Sequence, residues 1–206
     1  MDIEVASRGF DDRIRWDPAL IRKYDVAGPR YTSYPTALQF AEGFGSREYE
    51  QYLLERPPVI GPLSLYVHIP FCRNICYYCA CNKIITRDAA VAERYIVALE
   101  KEIALLAHHH DQRRRVTQLH WGGGTPTFLS PSELTRLMHG LARHFSLIDA
   151  PEREYAIEID PRSVDTGTIA LLKGLGFNRI SMGIQDFDPQ VQRAINRIQP
   201  FDMVES

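Results

Sequence analysis

The sequence predicts an α/β fold: the first part of a larger parallel βα barrel, preceded by an N-terminal arm with short helices. Three observations predict it. From residue 61, short runs of alternating apolar and mixed residues take turns with longer runs of helical period, the pattern of right-handed βαβ units in a parallel sheet. The unusual residues fall where such strands end: a cysteine loop, a triple glycine, a glutamate and a glutamine. No cap or closing element follows the fourth βα unit. The expected division is an arm over 1–60 and the first four βα units over 61–206, with the C-terminal part of a barrel missing.

The elements follow in order. Asp17 is an N-cap and Pro18 stands at N1, opening a helix through about Tyr24. Residues 28–36 are extended, because each residue before a proline is pushed out of the α region. A second short helix covers about 47–55, and Pro57-Pro58 stops it. Leu63–Ile69 alternates and reads as the first strand. After the cysteines, a helix over about 89–107 carries Val91, Tyr95, Leu99, Ile103 and Leu106 as one apolar stripe. Residues 116–121 form the second strand, followed by Gly122, Gly123 and Gly124. Ser130-Pro131-Ser132-Glu133 is a capping box, and its helix aligns Leu134, Leu137, Met138 and Leu141. The third strand covers 154–160, and Asp165 caps a helix ending at Gly174 or Gly176. The fourth strand covers 178–183, and Asp188-Pro189 opens another helix. Ligands of such sheets sit at the carboxyl ends of the strands.

The 206 residues are 45% hydrophobic and 24% charged, with net charge −2. That is a globular composition; it excludes a collagen-like, low-complexity or wholly disordered chain. The near-neutral charge gives no reason to expect a general nucleic-acid binder. One apolar run, 57–72, holds four prolines and a histidine and cannot be a continuous helix, so no membrane span is expected. Asp2, Glu4, Arg8, Asp11, Asp12 and Arg13 leave no apolar signal segment, and the expected compartment is the cytoplasm.

All four cysteines, Cys72, Cys76, Cys79 and Cys81, lie within ten residues. A disulfide framework would spread them to close long loops; clustered thiols point to a metal or redox site. Structural zinc usually takes two ligand pairs well apart, and ferredoxin clusters take a distant fourth cysteine. The economical reading is three thiolates holding three irons of a [4Fe–4S] cluster, with one iron open to a substrate. The alternative is a zinc knot completed by a distant histidine. The turn G-G-G-T-P matches neither nucleotide-phosphate glycine pattern, and its glycines admit close backbone approach. His108-His109-His110 and the Arg113-Arg114-Arg115 run read as solvated surface, and His68 and His120 as satisfied histidines.

Cys-x3-Cys-x2-Cys after a first barrel strand resembles the signature of radical S-adenosylmethionine (SAM) enzymes. The blocks GPRYTSYPTA (28–37), SLYVHIPFC (64–72), CYYCACNKI (76–84), HWGGGTPTFL (120–129), EIDPRS (158–163) and GFNRISMGIQDF (176–187) narrow the resemblance to the oxygen-independent coproporphyrinogen III oxidase family, in the family's order. The resemblance implies a partial radical-SAM barrel in which Cys72, Cys76 and Cys79 hold the cluster and SAM chelates the open iron by its amino and carboxylate groups. Cys81 matches a fourth cysteine that does not bind the cluster. Tyr66 is similar to a SAM-contacting tyrosine, and Tyr78 to an aromatic against the adenine, where the family often has Phe. Gly123, Gly124 and Thr125 match the turn at the methionine ammonium. Glu158, Gln185 and Arg197 match further SAM contacts. A second SAM near the first is also implied.

The implied activity belongs to heme and porphyrin biosynthesis: oxidative decarboxylation of coproporphyrinogen III to protoporphyrinogen IX by a 5′-deoxyadenosyl radical, with an unidentified electron donor. Arg30, by charge alone, is a candidate partner for a substrate carboxylate. No catalytic residue is singled out. A barrel of this kind has more βα units than the four counted here, so the truncated chain is expected to carry the site without turning over substrate. Two alternatives stand beside this one. The first is a heme-chaperone relative that keeps the cluster motif, against which Cys81 and the 28–37 block speak. The second is a non-enzymatic zinc-binding module.

Overall fold

Alternation between Leu63 and Ile69 builds the first strand of the computed structural model, which describes residues 16–26, 36–55, 61–111 and 113–205. Arg30 and most of the 28–37 block lie outside the described residues. The chain divides into a unit Met1–Tyr49 and a unit Glu50–Ser206, where the sequence reading set the boundary at 60/61. The first unit contains α1 (Pro18–Tyr24), whose N-cap Asp17 accepts from the N–H groups of Ala19 and Leu20. It also contains the start of α2 (Ser46–Glu55).

The second unit is built on a parallel sheet. Its long strands are β1 (Leu63–Ile69), β4 (Arg115–Gly123), β6 (Glu154–Ile159) and β7 (Arg179–Met182), side by side in that order. Two-residue strands complete the set: β2 (Phe71–Cys72) pairs with β3 (Ile84–Ile85), and β5 (Ser146–Leu147) pairs with the start of β4. The crossovers are α3 (Ala90–His108), α4 (Pro131–His144) and α5 (Thr166–Gly174), followed by α6 (Pro189–Ala194) and α7 (Phe201–Glu205). Crossovers of this length are what parallel neighbours require.

The two faces of the sheet differ in chemistry, and that difference places the site. Leu63, Val67, Ile69, Leu119, Trp121, Tyr155, Ile157 and Ile159 belong to one buried cluster with residues of the three crossover helices. Tyr66, His68, His120 and Glu158 alternate with them and so point to the opposite face. Register aligns that polar row: Tyr66 pairs with His120, and Glu158 with Ser181.

The capping box at Ser130 forms as expected, with the Ser130 side chain accepting from the Glu133 N–H and the Glu133 carboxylate accepting from the Ser130 N–H. It starts α4 where Leu134, Leu137, Met138 and Leu141 all turn inward. Each such burial contributes roughly 1.5–3 kcal/mol. The α3 stripe is displaced from its expected centre. Ala92, Ile96, Ile103 and Ala107 are buried, while Val91, Tyr95 and Leu99 pack along the flank. Small Ala92 and Ala107 belong to the buried face, which a tally of large apolar residues overlooks. The arginine run is tied down within the chain: Arg114 donates to the Gly61 and Pro62 carbonyls, Arg113 pairs with Asp111, and Arg115 with Glu152.

Candidate active site

The cysteine loop leaves β1 through β2 and is pinned by backbone bonds at both ends. The Ile84 N–H donates to the Pro70 carbonyl at 2.7 Å, and the Thr86 N–H to the Cys72 carbonyl at 2.9 Å. Inside it, the Cys79 N–H donates to the Cys76 carbonyl at 3.0 Å, so the Cys-x2-Cys segment closes a turn. The loop's far side rests on the segment after α6: the Tyr77 N–H donates to the Ile195 carbonyl at 3.1 Å, and the Asn196 amide to the Ile75 carbonyl at 2.7 Å. All four cysteines are free thiols.

A cavity of about 300 Å³ opens at the carboxyl ends of the strands. Every residue expected to meet the cluster or SAM, but one, lines it: Cys72, Cys76, Cys79, Tyr78, Gly123, Gly124, Thr125, Glu158, Gln185 and Arg197. The exception is Tyr66, which stands one step away on the same polar face. Its ring stacks on His120 at 5.8 Å between centroids, and its hydroxyl is 3.0 Å from His68 Nδ1. Burial, then the nearby Glu158 carboxylate, pushes its phenol up.

The glycine turn is shaped by close backbone approach. A Cβ on Gly124 would lie 2.7 Å from the Pro70 carbonyl, and one on Gly123, at φ +113°, would lie 2.5 Å from the His68 ring. The N–H groups of the turn are already taken. Gly123 donates to Glu158 Oε2, Gly124 to the Ile69 carbonyl and Thr125 to the Phe71 carbonyl. None of the three is left to hold a phosphate, which suits a turn that presents carbonyls to an ammonium. Glu158 also accepts from His120 Nε2 at 3.2 Å.

The thiols experience different surroundings. Burial raises the Cys72 thiol against the hydrogen bond of the Thr125 hydroxyl, 3.6 Å away. At Cys79 burial works in the same direction, but the Cys81 N–H and thiol and the Lys83 ammonium outweigh it, and the net shift is down. Cys81 is raised, by burial and then by Cys79. Cys76 Sγ receives two guanidinium groups, Arg197 Nη1 at 3.5 Å and Arg162 Nη2 at 3.9 Å.

Sequence reasoning missed Asp160, Arg162, Lys83 and Asn74 on the cavity wall, and Asn196 behind the loop. Asp160 and Arg162 stand in the segment that leaves β6 at the ligand edge of the sheet, a position that could have drawn attention to them.

Four free thiols from one loop, Cys81 among them, face one cavity whose walls carry cationic, acidic and carbonyl groups, an arrangement that suits an iron–sulfur cluster and a zwitterionic ligand. Among the described residues no group of three His, Cys, Asp or Glu side chains converges as around one metal. The histidines near the loop are engaged elsewhere: His68 with Tyr66 and the Asn82 carbonyl, His120 with Glu158. No described helix is long and apolar enough to cross a membrane.

The family model described as the radical SAM superfamily matches residues 66–206. The chain is 55% identical over 188 residues to the oxygen-independent coproporphyrinogen III oxidase of Pseudomonas aeruginosa, covering 91% of this chain and 41% of that protein. It is 48% identical over 196 residues to the protein of the same name from Escherichia coli, covering 93% and 41%. The solved structure of the Escherichia coli coproporphyrinogen III oxidase, described as a radical SAM enzyme, matches with a TM-score of 0.78 over 93% of this chain and 41% of that one. The chain thus spans about two-fifths of the length of these relatives.

Proposed function

Because the chain belongs to the radical SAM superfamily, we propose that its cavity is the cluster and SAM site of an oxygen-independent coproporphyrinogen III oxidase. The observation that carries the proposal is the meeting of Cys72, Cys76 and Cys79 with the glycine turn, Glu158, Gln185 and Arg197 around one cavity. The two relatives named above share the oxidase name.

Cys72, Cys76 and Cys79 would supply thiolates to three irons of a [4Fe–4S] cluster. SAM would lie against the glycine turn, its ammonium near the carbonyls of Gly123 and Gly124 and the Thr125 side chain. Tyr78, between two of the thiols, offers a ring for the adenine, and Arg197 and Gln185 offer polar groups to the far side. When bound, the cluster and SAM would together supply hydrogen-abstracting radical chemistry directed at a substrate propionate.

What the protein contributes is position. The pinned loop fixes the thiols. Glu158, held by the Gly123 N–H and His120, fixes the end of β6 against β4. Coproporphyrinogen III as substrate, an electron donor, and a second SAM belong to the whole-length activity and are proposed with it. The clustered thiols suit a reducing compartment such as the cytoplasm.

The test is anaerobic reconstitution with iron and sulfide, followed by an assay for 5′-deoxyadenosine with and without coproporphyrinogen III. The chain should cleave SAM under reduction. Heme transfer to an acceptor, without SAM cleavage, would favour the chaperone relative, and zinc uptake with no cluster would favour a zinc module.

A further inference from the structure

Asp160 is 8% exposed, yet it sits at the rim of the cavity. Its carboxylate accepts from the Arg162 backbone N–H at 3.0 Å, from Arg162 Nε at 3.0 and 3.1 Å, from Arg162 Nη2 at 2.6 Å, and from Gln199 Nε2 at 3.1 Å. Arg197 Nη1 stands 3.7 Å from the same carboxylate. Gln199, 1% exposed, is locked from behind: its N–H donates to Gln192 Oε1, and Gln192 Nε2 donates to its carbonyl. The Asp160 lone pairs are fully used, and the Arg162 guanidinium is fixed by its whole fork. One N–H-bearing nitrogen of that fork, Nη2, is also within 3.9 Å of Cys76 Sγ.

We propose that Arg162, oriented by Asp160, is a positioning residue that holds a cation and an N–H donor against the Cys76 sulfur and raises the reduction potential of the cluster bound there. The proposal rests on Cys76 being a cluster ligand. A donor and a positive charge beside a ligating sulfur stabilise the reduced, more negative cluster over the oxidised one. A purely structural ion pair would need only the Asp160 fork. Here the same guanidinium also faces the thiol, alongside Arg197 at 3.5 Å.

The test is the midpoint potential of the anaerobically reconstituted chain, read by spectroscopic titration, beside its iron content and thermal unfolding. R162Q would strand a buried carboxylate, which is costly. The deciding variant is therefore the neutral pair D160N/R162Q, which removes both charges of the fork, read beside D160N alone because Arg197 also loses its carboxylate partner at 3.7 Å. The neutral pair should reconstitute, unfold cooperatively and show a lower midpoint, by about tenfold in the one-electron reduction equilibrium, about 59 mV. R162K, which keeps the charge but loses the fork, should fall between. An unchanged or higher midpoint in the neutral pair would overturn the proposal. So would loss of iron from a neutral pair that still unfolds cooperatively, since the ion pair would then govern assembly and not potential. Failure of the unsubstituted chain to bind iron would instead refute the cluster assignment itself.

Discussion

The side-chain amide of Asn196 donates to the carbonyl of Ile75 at 2.7 Å across 121 positions of sequence. Asn196 is the one described non-glycine residue at positive φ, 55°, a conformation asparagine tolerates better than most. The segment after α6 therefore serves as a back wall for the cysteine loop, with the Tyr77 N–H bonded to the Ile195 carbonyl beside it.

Two substitutions at that position separate backbone from side chain. Asn196→Gly keeps the conformation and loses the amide, while Asn196→Ala loses both. The alanine variant should be less stable by about 1–3 kcal/mol from strain added to a lost hydrogen bond, and the glycine variant by less. Urea unfolding gives the stability, and iron content after reconstitution should fall in both. Wild-type iron uptake in both would mean that the loop does not depend on this wall.

The cysteines predict a split. Cys72→Ser, Cys76→Ser and Cys79→Ser should each reduce bound iron severely under anaerobic conditions, because each removes a ligand to one iron. Cys81→Ser should retain it. Equal loss in all four would mean that the three-ligand assignment is wrong.

Gly124 has no room for a side chain. Gly124→Ala would set a Cβ 2.7 Å from the Pro70 carbonyl, which is backbone and cannot swing aside. The expected cost is about 1–3 kcal/mol in urea unfolding, with weaker SAM binding because the turn must move away from β2. A change below about 0.5 kcal/mol, the range of an ordinary surface substitution, would show that the turn is looser than its contacts indicate.

Ser130→Ala removes the side-chain oxygen that accepts from the Glu133 N–H and disrupts the capping box of α4. The expected loss is about 1 kcal/mol, measured by thermal or urea unfolding. SAM binding should not change, because Ser130 does not line the cavity.

The legible parts of the sequence were those with a period or a cap. Leu63–Ile69 shows its strand by alternation, and Ser130 and Asp165 mark helix starts by short-range chemistry. The strands β2, β3 and β5 have two residues each, too few to carry a period, and they exist only because a neighbour pairs with them. The cysteines were legible because all the thiols lie on one loop. Asp160, Arg162 and Asn196 were not, since each acts through partners far along the chain: Arg162 meets Cys76 across 86 positions. The polar row Tyr66–His120–Glu158 becomes visible only when three strands are placed in register.

The central claim is that three thiolates leave one iron of a cluster open and that SAM binds there. The most direct measurement is the electron paramagnetic resonance spectrum of the reconstituted, reduced chain before and after SAM is added. The spectrum should change on addition of SAM and return when SAM is removed. A cluster signal that SAM leaves unaltered at saturating concentration would contradict the claim.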